Sequence, residues 1–168
     1  MKFVCPCCGE EKENWPALAF SSPVHYHMLS EEDKEKIGRL SSDFCIIKHH
    51  DQTDRFIRGV LIQKVNGACQ DLEYGVWVSL SEKNFIEYYD NFKEEMEEKT
   101  YFGWLCTQLP EYEDLSRIKT HVITQKGNAR PRIEINRSNN PEHPFVKDYF
   151  EGISEEEALR RINWLLNK

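Results

Sequence analysis

Leu72-Glu73-Tyr74-Gly75-Val76-Trp77-Val78-Ser79-Leu80-Ser81 changes its hydrophobic period at its last residue, and the fold is read from that change. Up to Leu80 the apolar side chains Leu72, Tyr74, Val76, Val78 and Leu80 recur at every second position. That spacing places them on one face of a β-strand. Beyond Ser81 the period lengthens. Phe85, Tyr88, Tyr89 and Phe92 fall at i, i+3, i+4 and i+7, one stripe of a helix. Ser81 is the expected N-cap, with Glu82 beside the positive helix end. A strand feeding directly into an aromatic-striped helix buries both elements in one core.

Upstream, Arg55 to Val65 reads as the next strand. Phe56, Val60 and Ile62 share a face with Arg58, and Ile57, Leu61 and Val65 share the other with Gly59. Apolar residues on both faces predict a central strand. Arg58 then needs a carboxylate or several acceptors, unless it serves as an anion-binding residue near a pocket. Asn66-Gly67 is a turn signal that joins this strand to the one after it as an antiparallel pair. Phe44-Cys45-Ile46-Ile47 reads as a buried strand, and Ser30 as the cap of a helix over 31–40 with Ile37 and Leu40 inward.

Downstream, Lys93 to Lys99 is a charge run, read as a solvated helix end or loop. Tyr101 to Cys106 is strongly aromatic, and Trp77 and Trp104 are candidates to line a groove unless they pack into the core. Segments 116–124 and 131–137 alternate as a hairpin with one apolar and one charged face. From Arg117 to Arg137 there are six Lys/Arg residues against one acidic residue. Arg130 and Arg132 therefore join Arg58, Trp77 and Trp104 as candidate binding residues for an anionic ligand or partner, if the surplus does more than balance acidic helices. Pro141, His143 and Pro144 read as a rigid connection. Ser154 and Glu157 fit a capping box for a last helix over 154–167, with Ala158, Leu159, Ile162, Leu165 and Leu166 as its buried stripe.

The N-terminus reads differently. Cys5 and Cys8 are spaced C-x-x-C and followed by Gly9, a spacing that wraps one side of a tetrahedral metal. This is half of a structural zinc knuckle. Cys45 is the candidate additional ligand if it is not simply a core residue, and Cys69, Cys106 and the histidines are further candidates by type. Free thiols or a thioredoxin-like redox pair are the competing readings. Two thiolates favour structural over catalytic zinc, which keeps an open position.

Composition sets the bounds. The chain has 168 residues, 39% hydrophobic and 30% charged, which is globular and long enough to need no disulfide framework. No apolar run spans a bilayer and no secretory h-region opens the chain, so a cytoplasmic location is expected and no membrane partner. Net charge is −7, which argues against nucleic acid as a partner. No phosphate loop, dinucleotide fingerprint, nucleophile elbow or zincin motif is present, so no nucleotide cofactor is expected and no catalytic residue is assigned.

An ordered set of short motifs resembles one family over nearly the whole chain. It comprises Cys5-x-x-Cys8-Gly9, Ser42-Asp43-Phe44-Cys45-Ile46-Ile47, Arg55-Phe56-Ile57-Arg58-Gly59, Gly75 to Ser81, Gly103-Trp104-Leu105, Leu109-Pro110-Glu111-Tyr112, Arg130 to Glu134 and His143-Pro144. The chain resembles the bacterial domain-of-unknown-function family DUF2199. Members often carry a histidine a few residues after the C-x-x-C-G, where this chain has Lys12. The resemblance implies one compact unit and no activity.

The expectation is an α+β domain over residues 1–168, in which a Cys-containing knuckle and loop (1–29) pack on a core (30–168). An antiparallel sheet of about four to six strands is packed by helices near 31–40, 81–92 and 154–167. The expected function is a small binding module for an unknown protein or small anionic ligand. The alternatives are a metal- or thiol-dependent enzyme and an immunity-type toxin-binding protein.

Overall fold

The computed structural model describes residues 2–4, 8–92, 98–127, 129–138 and 140–167, without the side chains of Phe3 and Leu166. An N-terminal hairpin, β1 (Lys2–Val4) and β2 (Glu11–Glu13), precedes β3 (Leu18–Ala19), α1 (Val24–His27) and α2 (Glu31–Ile37). Then come β4 (Gly38–Leu40), β5 (Phe44–Lys48), β6 (Thr53–Gln63), β7 (Val65–Asn66), β8 (Leu72–Ser79) and α3 (Glu82–Asn91). The chain continues through β9 (Thr100–Leu105), β10 (Lys119–Ile123), β11 (Arg132–Ile135), α4 (Pro144–Glu151), β12 (Ile153–Ser154) and α5 (Glu155–Leu166).

The expected antiparallel sheet is present but larger, and it curls shut. β6 pairs antiparallel with β8, β8 with β9, β9 with β10 and β10 with β11. β11 then returns to pair parallel with β6, closing a five-stranded barrel. The eleven residues of β6 make this closure work. Along one edge, Thr53–Ile57 pair with β5 and Val60–Leu61 with β11, while Phe56–Gln63 pair with β8 along the opposite edge. Gly59 sits where those two neighbours part. A Cβ there would lie 2.5 Å from the Ile133 side chain and 2.9 Å from the Pro131 carbonyl oxygen.

Alternation now acquires an inside and an outside. Ile57, Leu61, Tyr74, Val76, Val78, Tyr101, Leu105, Val122, Ile133 and Ile135 fill the barrel. Helices close its two ends. At the end where β6 begins, Ser81 Oγ accepts the Asn84 N–H and starts α3, which adds Phe85 and Tyr88 to the core. Phe44 packs among the α3 rings, with centroids 4.8 Å from Tyr89 and 4.9 Å from Phe92. At the other end, α4 and α5 add Phe145, Val146, Ala158 and Ile162. Gln63 Nε2 there donates to the Asp148 carbonyl oxygen at 2.6 Å.

Four local readings differ from the structure. The helix over 31–40 stops at Ile37, and Leu40 is an exposed strand residue. Gly38 is extended, and the Tyr26 ring lies 2.6 Å from where its Cβ would be, so the chain passes there as a strand. The connection around Pro144 starts α4, because the His143 ring nitrogen accepts the Phe145 N–H at 3.1 Å and Pro144 suits a first helical position. In α5, Leu159 is 42% exposed, while Arg161 is 2% exposed and occupies the buried stripe. Arg161 donates to the Tyr74 and Tyr112 hydroxyls at 3.1 and 2.8 Å and to Glu157 at 2.8 Å, so a cation is paid for inside. The charge run at 93–97 lies outside the described residues.

The outer wall is covered in part. Cys45, Ile47, Phe56, Trp77 and Cys106 form a second apolar cluster on it, sealed by Phe20, Tyr26, Leu29 and Ile37. β3 fastens this cover by pairing with Tyr74 and Gly75, and the Val24 N–H donates to the Cys106 carbonyl oxygen at 2.8 Å. Among the described residues, no comparable apolar cluster lies on the outer wall formed by β9, β10 and β11.

Candidate functional site

Register decides what the uncovered wall presents. Thr100 to Leu105 alternates, so Tyr101, Gly103 and Leu105 point inward and Phe102 and Trp104 outward. Lys119 lies directly opposite Trp104 and His121 directly opposite Phe102. Glu134 lies opposite His121 and Arg132 opposite Ile123. Phe102 is 47% exposed and Trp104 38% exposed. Their rings meet edge to face at 5.3 Å, and Lys119 Nζ stands 5.9 Å from the Trp104 centroid. A cation over an aromatic face and an aromatic pair are both favourable contacts, yet each leaves one side of the rings open.

Trp104 also forms one wall of a cleft of about 570 Å³, lined further by His25, Arg55, Phe56, Cys106 and Arg117. The volume lies in the range that takes a small ligand or the side chain of a partner. His25 stacks on Phe56 at 5.3 Å. Arg55 is held by Glu82 at 2.5 Å. Burial pushes the Cys106 thiol up to about 11, so at neutral pH it stays protonated and is a poor nucleophile. A larger hollow of about 780 Å³ lies between Ser41–Phe44 and Tyr89–Phe92. Residues 93–97, which follow Phe92, lie outside the described residues.

The five binding candidates read from the sequence do not gather at one site, although Arg58 lies directly opposite Trp77 with its guanidinium carbon 6.0 Å from the Trp77 ring centroid. Trp77 is 0% exposed, and its indole N–H donates to the Phe20 carbonyl oxygen at 2.9 Å. Arg58 and Arg130 meet around Asp43. Arg130 Nε is 2.6 Å from the Asp43 carboxylate, and Arg58 donates to the Ser42 carbonyl oxygen at 3.4 Å. Burial pushes the Asp43 carboxyl up, but hydrogen bonds from Ser42 and Arg130 outweigh it and hold the carboxyl below its usual range. Arg58 Nε is buried with no hydrogen-bond partner among the described residues. Trp104 and Arg132 lie on the uncovered wall, where Arg132 pairs with Glu134 at 2.9 Å. The sequence reading did not single out Phe102 or Arg55, and it took up His25 only as one of the histidines that could ligate a metal by type. Phe102 was visible in the aromatic run, but its direction depends on the pairing with β10.

The thiols also divide. Cys5 and Cys7 lie outside the described residues. Cys45 is fully buried among Ile47, Phe56 and Trp77, and burial pushes its thiol up to about 12. Cys8 is exposed, with its sulfur 3.9 Å from that of Cys69, which is disulfide-bonded. Gly9 has φ +72°, the left-handed turn that the C-x-x-C-G spacing calls for. Among the described residues, no group of three or more His, Cys, Asp or Glu is placed to hold a metal. No helix among them is long and apolar enough to cross a membrane.

No curated protein and no solved structure matches the chain. A family model does, over residues 4–153, and it is described as "Uncharacterized protein conserved in bacteria (DUF2199)". This match covers most of the chain, and the protein belongs to the bacterial family DUF2199.

Proposed function

We propose that the protein is a small binding module that takes an acidic protein segment on the outer wall of β9, β10 and β11. One observation carries this reading: Phe102 and Trp104 stand exposed in direct register with His121 and Lys119 on the outer wall of the barrel. Aromatic side chains with a cation beside them are the residue types that dominate partner binding. Lys119 and Arg117 give the wall a local positive field although the chain carries −7 overall. A short acidic segment feels that local field, because charges beyond about 8–10 Å are screened at physiological salt. A long polyanion such as nucleic acid also meets the acidic remainder and is disfavoured. The cleft beside Trp104 is the natural seat for an apolar side chain of the same segment, against Phe56 and His25.

The test uses a fluorescein-labelled peptide of alternating Glu and Leu, followed by anisotropy. Binding should weaken roughly 10-fold or more in Trp104→Ala, as for a central aromatic contact. It should weaken similarly in Lys119→Glu, and fall with added salt. Equal binding by wild type and both variants overturns the reading. Tighter binding of a single-stranded oligonucleotide than of the peptide also overturns it.

A further inference from the structure

The cleft beside Trp104 brings ring faces and cations together within about 570 Å³. Trp104, Phe56 and His25 supply the rings, and His25 stacks on Phe56 at 5.3 Å. Arg55 and Arg117 supply two fixed positive charges. Lys119, 5.9 Å from the Trp104 centroid, adds a third. Among the described residues that line the cleft, Asp54 is the one carboxylate, and it is engaged with His49 Nε2 and Gln52 Nε2, each at 3.1 Å. Glu82 holds Arg55 from outside the lining at 2.5 Å. Three cations against these two carboxylates leave a surplus of one positive charge. Arg55 is also fixed by the Thr53 carbonyl oxygen at 3.0 Å, so Arg117, which is exposed, is the cation assigned to an incoming anion. Cys106 donates its thiol proton to the Trp104 carbonyl oxygen at 3.4 Å and adds no charge.

A ligand matched to this lining brings an aromatic ring and a single negative charge to one place. In an extended segment, adjacent side chains point to opposite sides, and the next residue on the same side stands about 6.8 Å further along. At the end of a chain, one residue supplies both, because the terminal carboxylate is bonded to the Cα that carries the ring. We infer that the acidic segment docks by its C-terminus, through a terminal aromatic residue whose ring lies against Trp104 and Phe56 and whose free carboxylate pairs with Arg117. This rests on the binding module proposed above and names the part of the partner that enters the cleft. A guanidinium matches the two oxygens of a carboxylate, and capture of a chain-terminal carboxylate is a recurring mode of peptide recognition. A phosphorylated tyrosine also joins ring and charge, but it carries about −1.5 to −2 at neutral pH against a surplus of one.

The experiment uses the full chain and a fluorescein-labelled Glu-Leu peptide ending in phenylalanine, made once as the free acid and once as the C-terminal amide. The two probes differ only at the terminal carboxyl group. Loss of a charge-assisted contact should weaken the amide at least about 10-fold in anisotropy titrations. Arg117→Gln should bring the acid to the level of the amide and leave the amide unchanged. Phe102→Ala, on the wall outside the cleft, should weaken both peptides and keep their ratio. Equal binding of acid and amide by wild type, with Trp104→Ala still weakening both, overturns the C-terminal docking and leaves the binding module standing. Binding of neither peptide overturns both. An acid preference retained in Arg117→Gln overturns the assignment of the carboxylate to Arg117. Tighter binding of an amidated peptide with an internal phosphotyrosine than of the free acid also overturns the C-terminal docking. The acid-to-amide comparison is made on the wild-type chain, so it decides even if a variant fails to fold.

Discussion

Trp77 and Trp104 occupy the same outer wall of one barrel and have opposite fates. Trp77, on β8, is covered by the layer from Leu18 to Ile37, and its indole N–H is satisfied by Phe20. Trp104, one strand further round, packs edge to face on Phe102, has Lys119 over its ring and opens on the cleft. The residue type is the same and so is the alternation. What differs is whether another segment of the chain is long enough and apolar enough to lie on top. A covered wall is part of the fold's stability, and an uncovered one is free to bind.

The largest effect should come from the covered side. Trp77→Ala removes a fully buried indole and should destabilise the protein by about 3–5 kcal/mol in urea unfolding. Trp104→Ala, already partly in solvent, should cost clearly less. Equal losses would erase the contrast between the two walls. Arginines repeat the comparison. Arg161→Ala strips the cation from Tyr74, Tyr112 and Glu157 and should cost about 3–5 kcal/mol, the usual range for breaking a buried pair. Arg132→Ala, an exposed residue on the open wall, should stay within about 0.5 kcal/mol. A smaller effect should follow at the closure itself. Gly59→Ala forces a methyl group against Ile133 and the Pro131 carbonyl and should cost about 1–3 kcal/mol. No loss there would mean that β6 and β11 approach less closely than described.

The smallest effect is an acid slope. Hydrogen bonds from Arg160, then Arg161, hold the Glu157 carboxyl at about 2 against the opposing effect of burial, from an ordinary value of 4.5. A folded-state pKa below the unfolded one gives stability that is complete above about pH 4.5 and is lost as pH falls toward 2. Glu157→Gln should flatten the pH dependence of stability in that window. An unchanged slope would assign it to other carboxylates.

Much of this could be read along the chain. The strand-to-helix switch at Ser81, the length of β6, the hairpin over 119–135 and the cap at Ser154 each depend on residues near one another in sequence. The helix at Pro144 escaped because its cap is a histidine ring rather than a small hydroxyl or carboxamide side chain. Arg161 escaped because its buried partners, Tyr74 and Tyr112, are 87 and 49 positions away. The uncovered wall was half legible. The cationic alternation of Arg117, Lys119 and His121 is local, but their placement beside Phe102 and Trp104 is a matter of register between two strands.

By itself the sequence determined the main strands and the helices begun at Ser30, Ser81 and Ser154, because periodicity and capping act over a few residues. The tertiary structure alone decided that the sheet closes, that one tryptophan is sealed while another faces solvent, and that Cys8 comes to rest beside Cys69. Those outcomes come from pairings between distant segments, and only the folded chain brings their partners within reach.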